Sequence, residues 1–151
     1  MDVGDFVPDS VTNKMVRDRL SERDLVDGFL LDGYPRTAAQ VGYLDRILAN
    51  SAQNLDVVLQ FTASDEELVS RLLARAQASG RSDDNRAVIS HRLKLYHEET
   101  EAVLAKYAER SLLTRVDGTG AIDVITGRVL RAMAAVQAAK EESCPTVRTS
   151  R

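Results

Sequence analysis

Apolar residues recur at helical spacing in the first stretch of the chain. Val11, Met15, Val16 and Leu20 follow Pro8, with Asp9 or Ser10 placed to cap, and this predicts a helix from Asp9 to about Glu22. The pattern then changes to short apolar runs. Phe29, Leu30 and Leu31 read as a buried strand over 28–32, closed by Asp32 and Gly33 and followed by Tyr34 and Pro35. Thr37 with Gln40 three residues on is a capping-box pair, and Val41, Leu44 and Leu48 carry one apolar face from Thr37 to Asn50. Residues 55–61 form a second apolar run of strand length.

A second capping box, Ser64 with Glu67, opens a helix that carries Leu68 and Leu72 toward Arg75. The period breaks over 76–84. From Asn85 to about Glu109, Val88, Leu95, Val103 and Tyr107 predict one long helix, with Asp83 and Asp84 as possible caps. A third strand follows over 112–116, then the turn Asp117, Gly118, Thr119, Gly120, then a last helix through Val124, Val129, Met133 and Val136. Short apolar strands alternating with helices imply an α/β fold of three layers. Its mainly parallel sheet is covered on both faces, and ligands sit beyond the carboxyl ends of the strands. No internal repeat is present.

Composition narrows the function. The chain has 151 residues, 44% hydrophobic and 28% charged, which fits one domain of ordinary globular type, read here as 1–140 with a polar tail over 141–151. A net charge of −3, no Lys/Arg block and no Trp argue against general nucleic-acid or anionic-membrane binding. The apolar runs are far too short to cross a bilayer, so a cytoplasmic location is expected. The single cysteine, Cys144, has no internal disulfide partner and falls in that tail.

Arginine supplies 16 of the 20 basic residues. Arg36, Arg75, Arg81 and Arg92 fall near strand ends or in the irregular stretch, where planar forks grip phosphates bidentately, or else they solvate helix faces. Asp32 either holds a hydrated Mg²⁺ at the end of its strand or closes the turn. Gln40 either reads a base edge or serves its cap, and Asp83 and Asp84 either orient arginines or cap a helix. His91 and His97 lack the partners of a metal or nucleophilic site.

Three segments together resemble adenylate kinase: Asp5 to Pro8; the run Gly28 to Thr37 with Gln40; and Gly80, Arg81, Ser82, Asp83, Asp84 with Arg92. The resemblance extends from about Val3 to Met133. It implies a P-loop kinase-like fold and an AMP site made of Asp5, Phe6 and Val7 through main chain, of Gly33, Tyr34, Pro35 and Arg36 around the phosphate, and of Gln40 at adenine. It places Arg75 on ATP, Arg81 and Arg92 between the phosphates of both nucleotides, Gly120 at the ATP adenine through main chain, and Asp32 on waters of the Mg²⁺ that accompanies ATP. The stretch about 76–86 corresponds to the family's lid in its short form, without the cysteines that hold zinc in longer lids. Arg36, Arg81, Arg92 and Asp32 are thereby the residues expected to act in catalysis.

One departure from the family is central. None of the eight glycines is followed by Lys, so the Gly-Lys-Ser/Thr phosphate loop has no counterpart in these residues. By resemblance the family's first strands are missing with it, one of them from the sheet centre, between the strands matching 28–32 and 55–61. Such a strand contributes about 6–12 kcal/mol of burial against ~5–15 kcal/mol of total stability. The expectation is a truncated adenylate kinase, with little activity alone, whose flanking strands either pair directly or expose edges that promote self-association. A kinase for another nucleoside monophosphate and a non-catalytic nucleotide-binding remnant are the alternatives.

Overall fold

The computed structural model describes residues 6–25, 27–79 and 85–143. Helix α1 (Asp9–Leu20) is followed by a 3-10 turn (Arg23–Leu25), α2 (Ala38–Asn50), β1 (Val58–Thr62), α3 (Asp65–Ser79) and α4 (Arg86–Leu95). A single π-helical turn (Tyr96–Thr100) joins α4 to α5 (Glu101–Glu109), and β2 (Leu113–Asp117) leads to α6 (Ile122–Ser143). The α/β class read from the sequence holds, and the sheet is parallel: β1 and β2 pair in register from Val58 opposite Leu113 to Thr62 opposite Asp117.

Alternation along the paired strands makes three layers. Val58 and Leu113 face a core formed by Val41 of α2 with Val103 and Tyr107 of α5. On the same face, Gln60 Nε2 donates to Tyr96 Oη at 3.0 Å and Gln60 Oε1 accepts from Arg115 Nε at 3.1 Å, which ties the π turn to the sheet. Opposite-facing Val116 is buried, and Phe61 joins Ile122, Ile125 and Val129 of α6 around an apolar groove.

Several elements differ from the sequence reading. Residues 28–32 form no strand. Extended backbone persists only where its N–H and C=O groups find a ladder partner, and among the described residues this segment has none; Leu30 is 89% exposed and Gly28 turns away at φ +115°. The two strands expected to flank a gap therefore do not pair. Val58 N–H donates to Leu112 O and Gly118 N–H to Thr62 O. By the alternation of a parallel ladder, this leaves the main-chain groups of Leu59 and Phe61 on an open edge. Phe61 is 55% exposed there.

Local propensity carries α3 past the point where its apolar period stops, because Ala76, Gln77 and Ala78 are all good helix formers. The stretch expected to be irregular thus begins no earlier than residue 80. Pro8 takes the N-cap position of α1 without a side-chain bond, so neither Asp9 nor Ser10 caps it. Asn85 caps α4, its side chain accepting from Val88 N–H at 3.0 Å. Asp83 and Asp84, proposed for that task, lie outside the described residues, as does Cys144, and α6 reaches Ser143. The two strands run one residue later at their ends than the apolar pattern suggests, to Thr62 and Asp117, and β1 starts only at Val58.

Tyr107 is wholly buried, and among the described residues its hydroxyl has no hydrogen-bond partner. Burial pushes its pKa up to about 12. An unpaired buried hydroxyl costs free energy that a methine-for-hydroxyl exchange recovers. Tyr107→Phe is therefore expected to raise stability by about 1 kcal/mol in denaturant titration. A loss of that size would mean the hydroxyl is bonded in solution.

Candidate functional site

The segment between the 28–32 run and α2 is built around one buried amide. Gln40 lies in the first turn of α2 and is 3% exposed. Thr37 caps the helix as expected, its Oγ1 accepting from Gln40 N–H at 3.2 Å. The Gln40 side chain does not return the bond to Thr37. Its Oε1 accepts from Arg36 N–H at 2.6 Å, while Nε2 donates to Asp9 Oδ1 at 2.7 Å and to Thr12 Oγ1 at 3.3 Å. Thr37 Oγ1 donates to the other Asp9 oxygen at 3.0 Å. Asp9, considered only as a cap from the sequence, thus joins α1 to α2.

Around this amide the loop takes a shape only glycine tolerates at one point. Gly33 has φ +69°, and a Cβ there would lie 2.7 Å from Arg36 Nη2. Arg36 Nε donates to Gly33 O at 2.7 Å, and its guanidinium sits over the Phe6 ring, 5.4 Å from the centroid. The guanidinium is otherwise exposed, and among the described residues its terminal nitrogens donate to no protein group. The Tyr34–Pro35 peptide is cis. Tyr34 Oη donates to Asn13 Oδ1 at 2.6 Å, and burial pushes its pKa up to about 12, so it stays protonated at neutral pH. Phe6, Gly33, Tyr34, Pro35, Arg36 and Gln40 are thus brought together, with Val7 and Pro8 leading into α1.

Thr100, at the end of the π turn, donates from Oγ1 to Arg36 O at 3.4 Å. Arg92 lies on the same helical run, half-buried in the last turn of α4. Arg75 is exposed on α3, which packs against α4. Asp32 is exposed just before the Gly33 turn. Asp5 and Arg81 lie outside the described residues. Among the described residues no group of three or more His, Cys, Asp or Glu is arranged to hold a metal directly.

Gly120, φ +107°, ends a separate turn beyond β2. Two arginines that the sequence reading overlooked hold that turn. Arg71 Nη1 donates to Gly118 O at 2.8 Å, and Arg128 Nη1 donates to Asp117 O and Thr119 O at 2.9 and 2.5 Å. Hydrogen bonds from the Thr119 hydroxyl and N–H, helped by Arg128, hold the Asp117 carboxyl below its usual range. Arg71 follows Glu67 by four residues on α3, so its pairing to Glu67 at 2.7 Å was legible; its reach to Gly118 was not.

A model of the adenylate kinase family matches residues 1–112. The chain is similar to an adenylate kinase of Pseudarthrobacter chlorophenolicus, 73% identical over 139 residues that cover 92% of this chain and 72% of the relative. It is likewise similar to the adenylate kinases of Renibacterium salmoninarum, 64% identical over 93% of this chain and 72% of the relative, and of Micrococcus luteus, 55% identical over 92% and 68%.

Two outcomes test this geometry. Gly33→Ala is expected to cost about 1–2 kcal/mol through its left-handed backbone and to displace Arg36, read as weaker binding of inorganic phosphate by NMR titration alongside a lower Tm. His97 Nδ1 lies 2.7 Å from Glu101 and Nε2 3.2 Å from Asp65, and these two carboxylates raise its pKa above 6.5, Glu101 most. The folded value being raised, the pairing stabilises fully below the unfolded value and is lost as pH rises through the folded one. The imidazole is expected to titrate above pH 6.5 by NMR, and His97→Gln to remove the matching slope in stability.

Proposed function

The chain belongs to the adenylate kinase family, a group of nucleoside monophosphate kinases, and on that premise we propose that it binds AMP in the loop 33–40 and takes part in reversible phosphoryl transfer between ATP and AMP. The observation that carries this reading is Arg36: its guanidinium is aimed outward by Gly33 O and Phe6, with its terminal donors unclaimed among the described residues, beside an amide at Gln40. A forked cation next to a base-reading amide suits a nucleoside monophosphate, phosphate at one end and base at the other.

In this reading Asp5, Phe6 and Val7 line the nucleoside through main chain, Gly33 to Arg36 hold the phosphate, and Gln40 meets adenine. Arg92, carried along α4 toward the Arg36 loop, and Arg81 stand between the two nucleotides' phosphates, Arg75 meets the ATP phosphates, and Gly120 meets its base. Mg²⁺ arrives as part of the MgATP substrate. In this reading the exposed carboxylate of Asp32 acts through metal-bound water.

No protein base is needed. A phosphate monoester has a second pKa near ~6, so the attacking oxygen is already ionised at neutral pH. Tyr34, held protonated, neither competes for that proton nor adds charge. What remains for the chain is to position two phosphates and to neutralise the charge that spreads over the transferring group, which arginine forks do.

Calorimetry with AMP and a coupled assay with MgATP test the reading. Wild-type protein is expected to bind AMP and to turn over MgATP only slowly by itself, Arg36→Ala to weaken AMP binding about tenfold or more, and Arg81→Ala and Arg92→Ala to abolish whatever turnover there is while AMP still binds. A preference for UMP or CMP over AMP overturns the adenine assignment. AMP binding with no turnover in wild type leaves a nucleotide-binding protein without the transfer step.

A further inference from the structure

The Gln40 amide can sit only one way round. Arg36 N–H is a donor without acceptor capacity, and an ionised carboxylate such as that of Asp9 is an acceptor without a hydrogen. Gln40 Oε1 must therefore face Arg36 and Nε2 must face Asp9, as the distances of 2.6 and 2.7 Å have them. Turned over, the amide oxygen would oppose a carboxylate oxygen and the amide nitrogen would oppose an N–H. Water does not relieve either clash at a residue 3% exposed.

Counting donors and acceptors gives the consequence. Both Nε2 hydrogens are used, one on Asp9 Oδ1 and one on Thr12 Oγ1, while among the described residues Oε1 accepts a single bond and keeps a second lone pair. What the amide has left to offer an incoming group is an acceptor. Asp9 is itself held in place, since its other oxygen accepts from Thr37 Oγ1.

We propose that Asp9 is a positioning residue for base recognition: by locking the Gln40 amide with only its oxygen available, it restricts the site to bases that carry an exocyclic amino group and turns away their oxo analogues. The inference rests on the AMP-site reading above. A 6-aminopurine donates to the remaining lone pair. A 6-oxopurine brings an acceptor against an acceptor, and discrimination of this kind comes as much from the repulsion as from the bond.

The test is calorimetric titration of the wild-type protein, Asp9→Asn and Gln40→Ala with AMP and with inosine monophosphate, which differ at the amino or oxo group on C6. Wild type is expected to favour AMP at least tenfold. Asp9→Asn keeps the shape of the side chain but adds a donor that accepts either orientation of the amide, so the AMP-to-inosine ratio is expected to fall about tenfold, through weaker AMP and stronger inosine monophosphate binding. Gln40→Ala is expected to abolish the same discrimination. Equal weakening of both nucleotides in Asp9→Asn, with the ratio unchanged, marks a merely structural residue and overturns the proposal. Should Asp9→Asn fail to fold by circular dichroism, Thr37→Val, which removes the support of Asp9 Oδ2 together with the α2 cap, must lower the ratio or the proposal falls. Wild type that binds neither nucleotide overturns the AMP-site reading, and this inference with it; AMP binding with an unmoved ratio overturns this inference alone.

Discussion

A buried primary amide must have its hydrogen bonds, and satisfying the one at Gln40 organises this end of the molecule. Its oxygen pins the main chain at Arg36, its nitrogen reaches Asp9 and Thr12 on α1, and its own N–H is taken by the Thr37 cap. One side chain thus joins α1, the loop 33–37 and α2. Leaving a group of this kind unpaired costs about 1–3 kcal/mol, so the four partners hold each other in a single arrangement. Arg36 inherits its direction from that arrangement and from Gly33, which is why the exposed guanidinium does not need a carboxylate to orient it.

The sheet contributes a different constraint. Two parallel strands suffice to set α2 and α5 on one face and α6 on the other, because Val58 and Leu113 point one way and Val116 the other. They do not cover themselves: among the described residues Leu59 and Phe61 present unpaired main chain, and Phe61, Ile122 and Leu130 leave apolar surface beside it. Parallel sheets are ordinarily buried on both faces and continue beyond two strands. Residues 28–32 have the apolar side chains of a strand, but among the described residues they have no ladder partner.

Much of the site was legible before any coordinates. The run from Gly33 to Gln40 declares its turn, its cap and its arginine through residue types that suit few other conformations, the helical and strand periods locate α1, α2 and β2 to within a residue or two, and the run read as one helix from Asn85 to about Glu109 comprises α4, the π turn and α5. Less legible were features that depend on partners distant in sequence. Asp9 reads as a helix cap because capping is the local use of an aspartate beside Pro8; its actual bonds go to Thr37 and Gln40, some thirty positions away. Arg71 and Arg128 carry no motif, yet they hold the turn at Gly118 and Thr119.

The division follows from how far each interaction reaches. The amino-acid order by itself determined what is local: which residues coil, where caps and glycine turns fall, and that a Gly-Tyr-Pro-Arg loop precedes a helix with Gln40 in its first turn. Tertiary structure alone decided which apolar run became a strand, since a ladder needs two chains side by side. It also decided which way the Gln40 amide faces, since that depends on a carboxylate brought across from another helix.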